Sequence, residues 1–214
     1  MNNRLFLKEK LQASLEKIQP NSDGPVTNLQ LEETLAAEIE QLATELESVN
    51  PNPYPLLNAT ALLDGAWQLK YSTAREIRSL ASLPLGLKVG KVYQVIDVAN
   101  KSFFNLAKVR HFLGIISGYV KLTASFEPAQ EEVSPPAHKR INVYFDTRYL
   151  AIEKIVGINT PQLNPYKVMP AKNPRERVAT LDITYLDETF RIGRGGDGSL
   201  FILNKCNDLP DFTS

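Results

Sequence analysis

Leu62-Leu63-Asp64-Gly65-Ala66-Trp67-Gln68-Leu69-Lys70-Tyr71-Ser72-Thr73 is the stretch on which the fold turns. It contains the single tryptophan of the 214-residue chain. Trp67, Leu69 and Tyr71 alternate with Ala66, Gln68, Lys70 and Ser72, the period of a strand with one buried face. Asp64 and Gly65 supply a turn into that strand. Upstream of it the apolar residues recur at helical spacing; downstream they recur at strand spacing.

Working toward the N-terminus, Leu7, Leu11, Leu15 and Ile18 predict an amphipathic helix over about residues 3 to 18. Pro20 to Pro25 reads as a linker. Leu31, Leu35, Ile39, Leu42, Leu46 and Val49 form the stripe of a second helix, for which Thr27 or Asn28 is a suitable cap. Pro51, Pro53 and Pro55 stiffen the connector that follows, and Leu56 to Leu63 predicts a short helix before the first strand. Their apolar stripes fit packing within the molecule, pairing of the two helices, or docking of a partner.

Working toward the C-terminus, Arg75 to Ser82 reads as one or two helical turns. Strands are predicted at Lys88 to Asp97, Ser102 to Arg110, Tyr119 to Phe126, Arg140 to Asp146, Val178 to Tyr185, Thr189 to Arg194 and Ser199 to Lys205. Gly114 to Gly118 reads as a tightly bent edge, and Pro128 to Lys139 as a polar loop with too little apolar content for a core. Ile152, Ile155, Val156 and Ile158 make an apolar patch. The four prolines between Asn159 and Arg177 predict a long irregular loop. About eight strands at hairpin spacing, without helical crossovers, predict a mainly β fold: an antiparallel barrel with N-terminal α-helices. A barrel of that size holds either packed side chains or one small apolar ligand. Trp67, Tyr71, Phe103, Phe104, Leu106, Val120, Leu122, Phe126, Val143, Phe145, Leu181, Ile183, Leu200 and Ile202 are candidates to line it.

The net charge is zero but unevenly spread: residues 1–50 carry 4 basic and 9 acidic side chains, the remainder 20 and 15. A net of +5 over the larger part fits an anionic surface such as a membrane and is too dilute for nucleic acid. A lone cysteine, Cys206, excludes an internal disulfide. His111 and His138 have no acidic or cysteine neighbours for a metal, and no Gly-x-Ser-x-Gly elbow is present. Gly195-Gly196-Asp197-Gly198 lacks the lysine of a phosphate loop and reads as a turn. The first nine residues meet charge too early for a secretory segment, and no cleavable targeting peptide is expected. No catalytic residue, metal ligand or cofactor site is expected.

Residues 62–73 resemble the opening of the plastid lipid-associated protein (fibrillin) domain. Leu181-Asp182-Ile183-Thr184-Tyr185-Leu186-Asp187-Glu188-Thr189-Phe190-Arg191-Ile192-Gly193-Arg194-Gly195 is similar to that family's acidic-tyrosine turn and arginine pair, and Gly198 to Leu203 to its final strand. The resemblance covers about 55 to 205. It implies a lipocalin-like barrel over 56–206, a helical region over 1–55 and a tail over 207–214. It also implies association with plastoglobules or thylakoids, and binding of lipids, carotenoids or quinones in a role linked to photoprotection. With no transit-like leader in the sequence, a cyanobacterial protein at the cytoplasmic side of the thylakoid or in the cytoplasm is expected, or a mature one in the plastid stroma or plastoglobule. Gly65-Ala66-Trp67 also matches the Gly-x-Trp of lipocalins, in which a late arginine closes the barrel floor over the tryptophan; Arg191 and Arg194 both qualify by position.

Gly65, Trp67, Asp182, Tyr185, Asp187, Arg191 and Arg194 are therefore expected to be structural, the charged ones pairing within their hairpin or holding an anionic headgroup. Leu80, Leu83, Leu85 and Leu87, with Phe112, Leu113, Ile115 and Ile116, are long apolar runs for loops. They are candidates for a membrane-contact or ligand-access patch, with Lys88, Lys91, Lys108, Arg110 and Lys121 near them in sequence. The leading expectation is a non-enzymatic carrier or structural protein for an apolar molecule. The alternatives are an interaction scaffold that uses the acidic N-terminal helices, and a lipocalin-like lyase or isomerase.

Overall fold

The computed structural model describes residues 3–18, 24–80, 86–130, 138–171 and 178–206. The N-terminal part comprises α1 (Asn3–Ile18), β1 (Val26–Thr27), α2 (Glu33–Ser48), α3 (Pro55–Asn58) and α4 (Thr60–Leu63). The strand of Trp67 is β2 (Gly65–Ser72), followed by α5 (Arg75–Leu80), β3 (Leu87–Asp97), β4 (Ser102–His111), β5 (Ile116–Pro128) and β6 (Arg140–Ile155). Then come β7 (Ile158–Asn159), β8 (Lys167–Pro170), β9 (Ala179–Leu186), β10 (Phe190–Gly195) and β11 (Leu200–Lys205).

Eight strands close an antiparallel barrel in the order β2, β11, β10, β9, β6, β5, β4, β3, with β3 returning to β2. Closure pairs only the first half of β2 and the first quarter of β6 with their neighbours across the seam. Gly65–Gln68 of β2 meets β3, and Arg140–Val143 of β6 meets β9. Beyond those points the edges are taken by other segments: β1 runs parallel to the end of β2, and β8 and β7 cover the second half of β6. Strands β3 to β6 have 10 to 16 residues, whereas β2 and β9 to β11 have 6 to 8. The four long strands therefore overhang the short ones as an arm at the mouth of the barrel.

There are two apolar cores. One fills the barrel and contains Trp67, Leu69, Val92, Ile96, Phe103, Ala107, Ala124, Ile141, Val143, Ile183, Leu186 and Leu203, with Ala59 and Leu63 closing the floor. The other lies between the barrel wall and the helices. Leu7, Leu11, Leu15, Ile39, Leu42 and Leu46 from α1 and α2 pack on Tyr71, Tyr185, Phe190, Ile192, Leu200 and Ile202. Each such side chain stabilises the fold by about 1.5–3 kcal/mol on burial. The helical stripes are thus engaged within the molecule.

Two β-bulges separate the cores. Ile202 pairs with Tyr71 but Leu203 pairs with Leu69, leaving Lys70 as the extra residue. In β9 the register shifts across Thr184, between the Ile192–Tyr185 and Gly193–Ile183 pairs. An extra residue reverses which face the following side chains occupy. Tyr71 therefore points at the helices and not into the barrel with Trp67 and Leu69, and Tyr185 leaves the face of Ile183. Leu200 and Ile202 lie on the helix side for the same reason: they share a face with Arg194 and Tyr71, their ladder partners.

Other expectations are revised. The stretch between Asn159 and Arg177 is not wholly irregular, since β8 pairs with Thr147–Leu150 and β7 with Lys154 and Ile155. Ile152 and Ile155 belong to β6, a strand more than twice as long as expected. Gly118 is a strand residue with Cβ space blocked by the Ala151 carbonyl oxygen at 2.0 Å, and the bend is at Gly114, whose φ is +71°. Thr27 precedes a 3-10 turn, Asn28–Gln30, rather than α2 itself. The linker residues 19–23, residues 131–137 of the polar loop and the tail 207–214 lie outside the described residues.

Candidate ligand and lipid-contact site

The turn at Gly65 has φ +96°, a conformation that glycine adopts without strain, and it delivers Trp67 to the barrel floor. The indole is fully buried and donates from Nε1 to the Leu63 carbonyl at 2.8 Å. It lies between two cations. The Arg191 guanidinium carbon is 4.8 Å from the ring centroid and the Lys205 ammonium 4.5 Å. Each contact contributes about 0.5–2 kcal/mol. Of the two candidate arginines, Arg191 is the one over the indole. Lys205, which was not anticipated, also donates to the carbonyls of Leu62 and Asp64 and ties α4 to β11.

Arg191 is only 3% exposed. Burial pushes its pKa down to about 9, which leaves it charged at neutral pH. Its guanidinium donates to Gln94 Oε1, and Gln94 Nε2 donates to Asn105 Oδ1 at 3.1 Å. Near the floor these linked polar side chains lie among apolar neighbours. Beside them is a cavity of about 20 Å³, bounded by Arg191, Gln94 and apolar side chains including Leu56, Phe103, Phe126 and Ile183. That is room for a single water-sized group. Near the floor the barrel is packed; toward the mouth Val120, Leu122 and Phe145 are half-buried.

The cross-strand pairs sort the expected lining residues. Phe103, Asn105 and Ala107 face Ala124, Leu122 and Val120, and Phe126 faces Val143. Val120, Leu122, Phe126, Val143, Phe145, Leu181 and Ile183 are accordingly interior, with Trp67. Phe104 and Leu106 are not. The β4–β5 ladder runs without a bulge, so they take the face opposite Phe103 and Ala107. There the Lys121 ammonium sits 4.4 Å from the Phe104 ring centroid. With Tyr71, Leu200 and Ile202, which pack on the helices, that corrects five of the expected lining residues.

The charged residues of the β9–β10 hairpin do not pair with one another. Asp182 accepts from Arg140 at 2.6 Å. Arg194 reaches α2, at 2.5 Å from Glu40 and 2.9 Å from Glu47. Asp187 accepts from Lys8 of α1 at 2.6 Å and from the Tyr185 hydroxyl at 2.8 Å. Burial alone raises the Asp187 pKa, but hydrogen bonds from Lys8, the Thr189 backbone and Tyr185 outweigh it and hold the carboxyl below its ordinary value. Burial, and then Asp187, push the Tyr185 phenol up. Sequence reading also missed Asn50 and Asn52 in the proline connector. They bond the backbone of Thr184 and Leu186 at the β9 bulge.

At the far end of the arm, the β4–β5 turn exposes Phe112, Leu113 and Ile115, while Leu87 and Ile116 are half-buried. Ile155, Val156 and Ile158 of the β6–β7 turn are exposed beside them, joined through the Val156 N–H to the Ile115 carbonyl at 2.7 Å. The spacing of the two turns, some forty residues apart, hid this union. Leu83 and Leu85 lie outside the described residues. Lys88 and Arg110, paired across β3 and β4, are exposed near the same end. Lys108 is bound to Glu153 at 3.1 Å. No metal-ligating cluster occurs among the described residues, and no helix among them is long and apolar enough to cross a membrane.

A closed eight-stranded barrel with a mainly apolar interior and a cation-stacked tryptophan floor defines a lipocalin-like fold. The chain belongs to the PAP_fibrillin family, whose model matches residues 7–204. It is 30% identical to a chromoplast-specific carotenoid-associated protein of Cucumis sativus, over 85% of this chain and 64% of that one. It is 32% identical to plastid-lipid-associated protein 6 of Arabidopsis thaliana, over 75% and 58%, and 30% identical to plastoglobulin-1 of Pisum sativum, over 79% and 54%. The chain thus spans between about half and two thirds of these relatives' lengths. The family is one of lipid-associated structural proteins, not catalysts. The named relatives are plant proteins assigned to plastids, and lend the cyanobacterial expectation no support.

Proposed function

We propose that this protein carries or organises an apolar molecule of the lipid, carotenoid or quinone class at the surface of a photosynthetic membrane or plastid lipid body. The observation that carries the reading is the tip of the overhanging arm. Six exposed apolar side chains from two turns (Phe112, Leu113, Ile115, Ile155, Val156 and Ile158) stand together where the barrel mouth opens. Clustered apolar exposure of this kind marks a contact surface. Burying such side chains in a lipid layer is favourable by about 1.5–3 kcal/mol each at full burial. Lys88 and Arg110 add attraction to an anionic surface, about 1 kcal/mol apiece. With the tip immersed, the half-buried mouth residues Val120, Leu122 and Phe145 face the layer, and a ligand passes between lipid and barrel without crossing water. Service in photoprotection fits such cargo.

Flotation with anionic lipid vesicles tests the contact. The intact protein is expected to float, and Leu113→Asp with Val156→Asp to remain at the bottom while keeping its thermal midpoint. Equal flotation of both would remove the tip from the account.

A further inference from the structure

Resting on the carrier reading, we infer that Arg191, with Gln94 beside it, is the anchor for the carboxylate of a single-chain amphiphile held with its tail toward the barrel mouth. Arg191 is the most deeply buried of the arginines and lysines that hold an ion pair or stack on a ring, and it differs from the others in its partners. Lys8, Lys108, Arg140 and Arg194 each meet a carboxylate. Arg191 meets an amide, and no carboxylate pairs with it among the described residues. A buried charge without a counter-charge is costly, and the cost is relieved by whatever anion reaches it. Stacking on Trp67 fixes the plane of the guanidinium but supplies no negative charge.

The cavity gives that anion a place. It adjoins Arg191 and Gln94, its other walls are apolar, and its volume of about 20 Å³ already holds one water-sized group against the guanidinium. A two-chain lipid headgroup does not fit beneath the floor closed by Leu56 and Leu63. A carboxylate at the end of one hydrocarbon chain does once the neighbouring rings give way, its oxygens accepting from Arg191 in charge-assisted bonds. The chain then takes the line of Phe126 and Phe145, the latter only half-buried, toward the open mouth. Those two rings must turn aside to admit it.

The test is calorimetric titration of the delipidated full chain with oleate and, in parallel, oleyl alcohol, followed also by the fluorescence of Trp67. Oleate is expected to bind about tenfold or more tightly than the alcohol and to perturb the indole, because the ionised acceptor makes the stronger bond. Gln94→Glu puts a carboxylate of the same shape against Arg191. It is expected to raise the thermal midpoint, confirming an intact fold, and to abolish the preference for oleate. Equal affinity for the two probes, or a preference that survives Gln94→Glu, overturns the anchor and leaves the carrier reading standing. Binding of neither probe also overturns the anchor, and failure of the same delipidated chain to take up a carotenoid or quinone besides overturns the carrier reading with it.

Discussion

Asp187 shows how a single carboxylate joins distant parts of this chain. It accepts from Lys8, Tyr185, the Thr189 backbone and hydroxyl, and the Phe190 backbone. Asp187→Asn is expected to lower unfolding free energy by on the order of 3 kcal/mol, since it leaves the half-buried Lys8 ammonium without its counter-charge; urea titration at pH 7 measures this. The pH dependence has a definite sign. A carboxyl whose folded pKa lies below its unfolded value, about 3.9, contributes stability that is present above that value. The contribution is lost as pH falls through the folded pKa. The wild type should therefore lose more stability than Asp187→Asn below about pH 4, and parallel acid-unfolding curves would refute the assignment. At this scale the sequence disclosed the residue but not its partner. Asp187 stands out in a turn beside a tyrosine, whereas Lys8 is 179 positions away and nothing local links the two. Lys205 and Gln94 escaped notice for the same reason.

Elements were legible where one period holds from end to end. The stripe of α2 is uninterrupted, and its helix came out as Glu33–Ser48. β2 and β9 each contain an extra residue, and there a strict alternation assigns Tyr71 to the wrong face. A bulge is a property of the ladder between two strands, so one strand's pattern does not announce it. Gly118 is a related case. Its smallness reads as flexibility, but it is there because the Ala151 carbonyl of β6 leaves no space for a side chain. Gly118→Ala is expected to destabilise by about 1–3 kcal/mol through overpacking, seen as a lower thermal midpoint, while Gly114→Ala, open to solvent, is strained only by its positive φ. Arg194→Ala cuts the ion pairs to Glu40 and Glu47 and is expected to speed hydrogen exchange in α2 while sparing β3 to β5. Uniform acceleration across both would show that α2 is not held separately.

For the molecule as a whole, the acidic N-terminal part and the basic remainder meet partly inside the fold, through Arg194 with Glu40 and Glu47. The charge asymmetry is in that measure an intramolecular fit. Deleting residues 1–50 would expose Tyr71, Tyr185, Phe190 and Ile202, and the product is expected to aggregate; a soluble barrel with native circular dichroism would contradict the shared core. The fold class was readable because hairpin spacing and alternation survive over most of the chain. The overhanging arm was not, because it depends on β3 and β6 running on past their four-residue pairings with β2 and β9.

The most direct test of the account is mass spectrometry and absorbance on whatever copurifies with the protein from photosynthetic cells. A lipid, pigment or quinone present at near-stoichiometric amount is the predicted result. Protein that emerges empty and colourless from membranes rich in all three would contradict it.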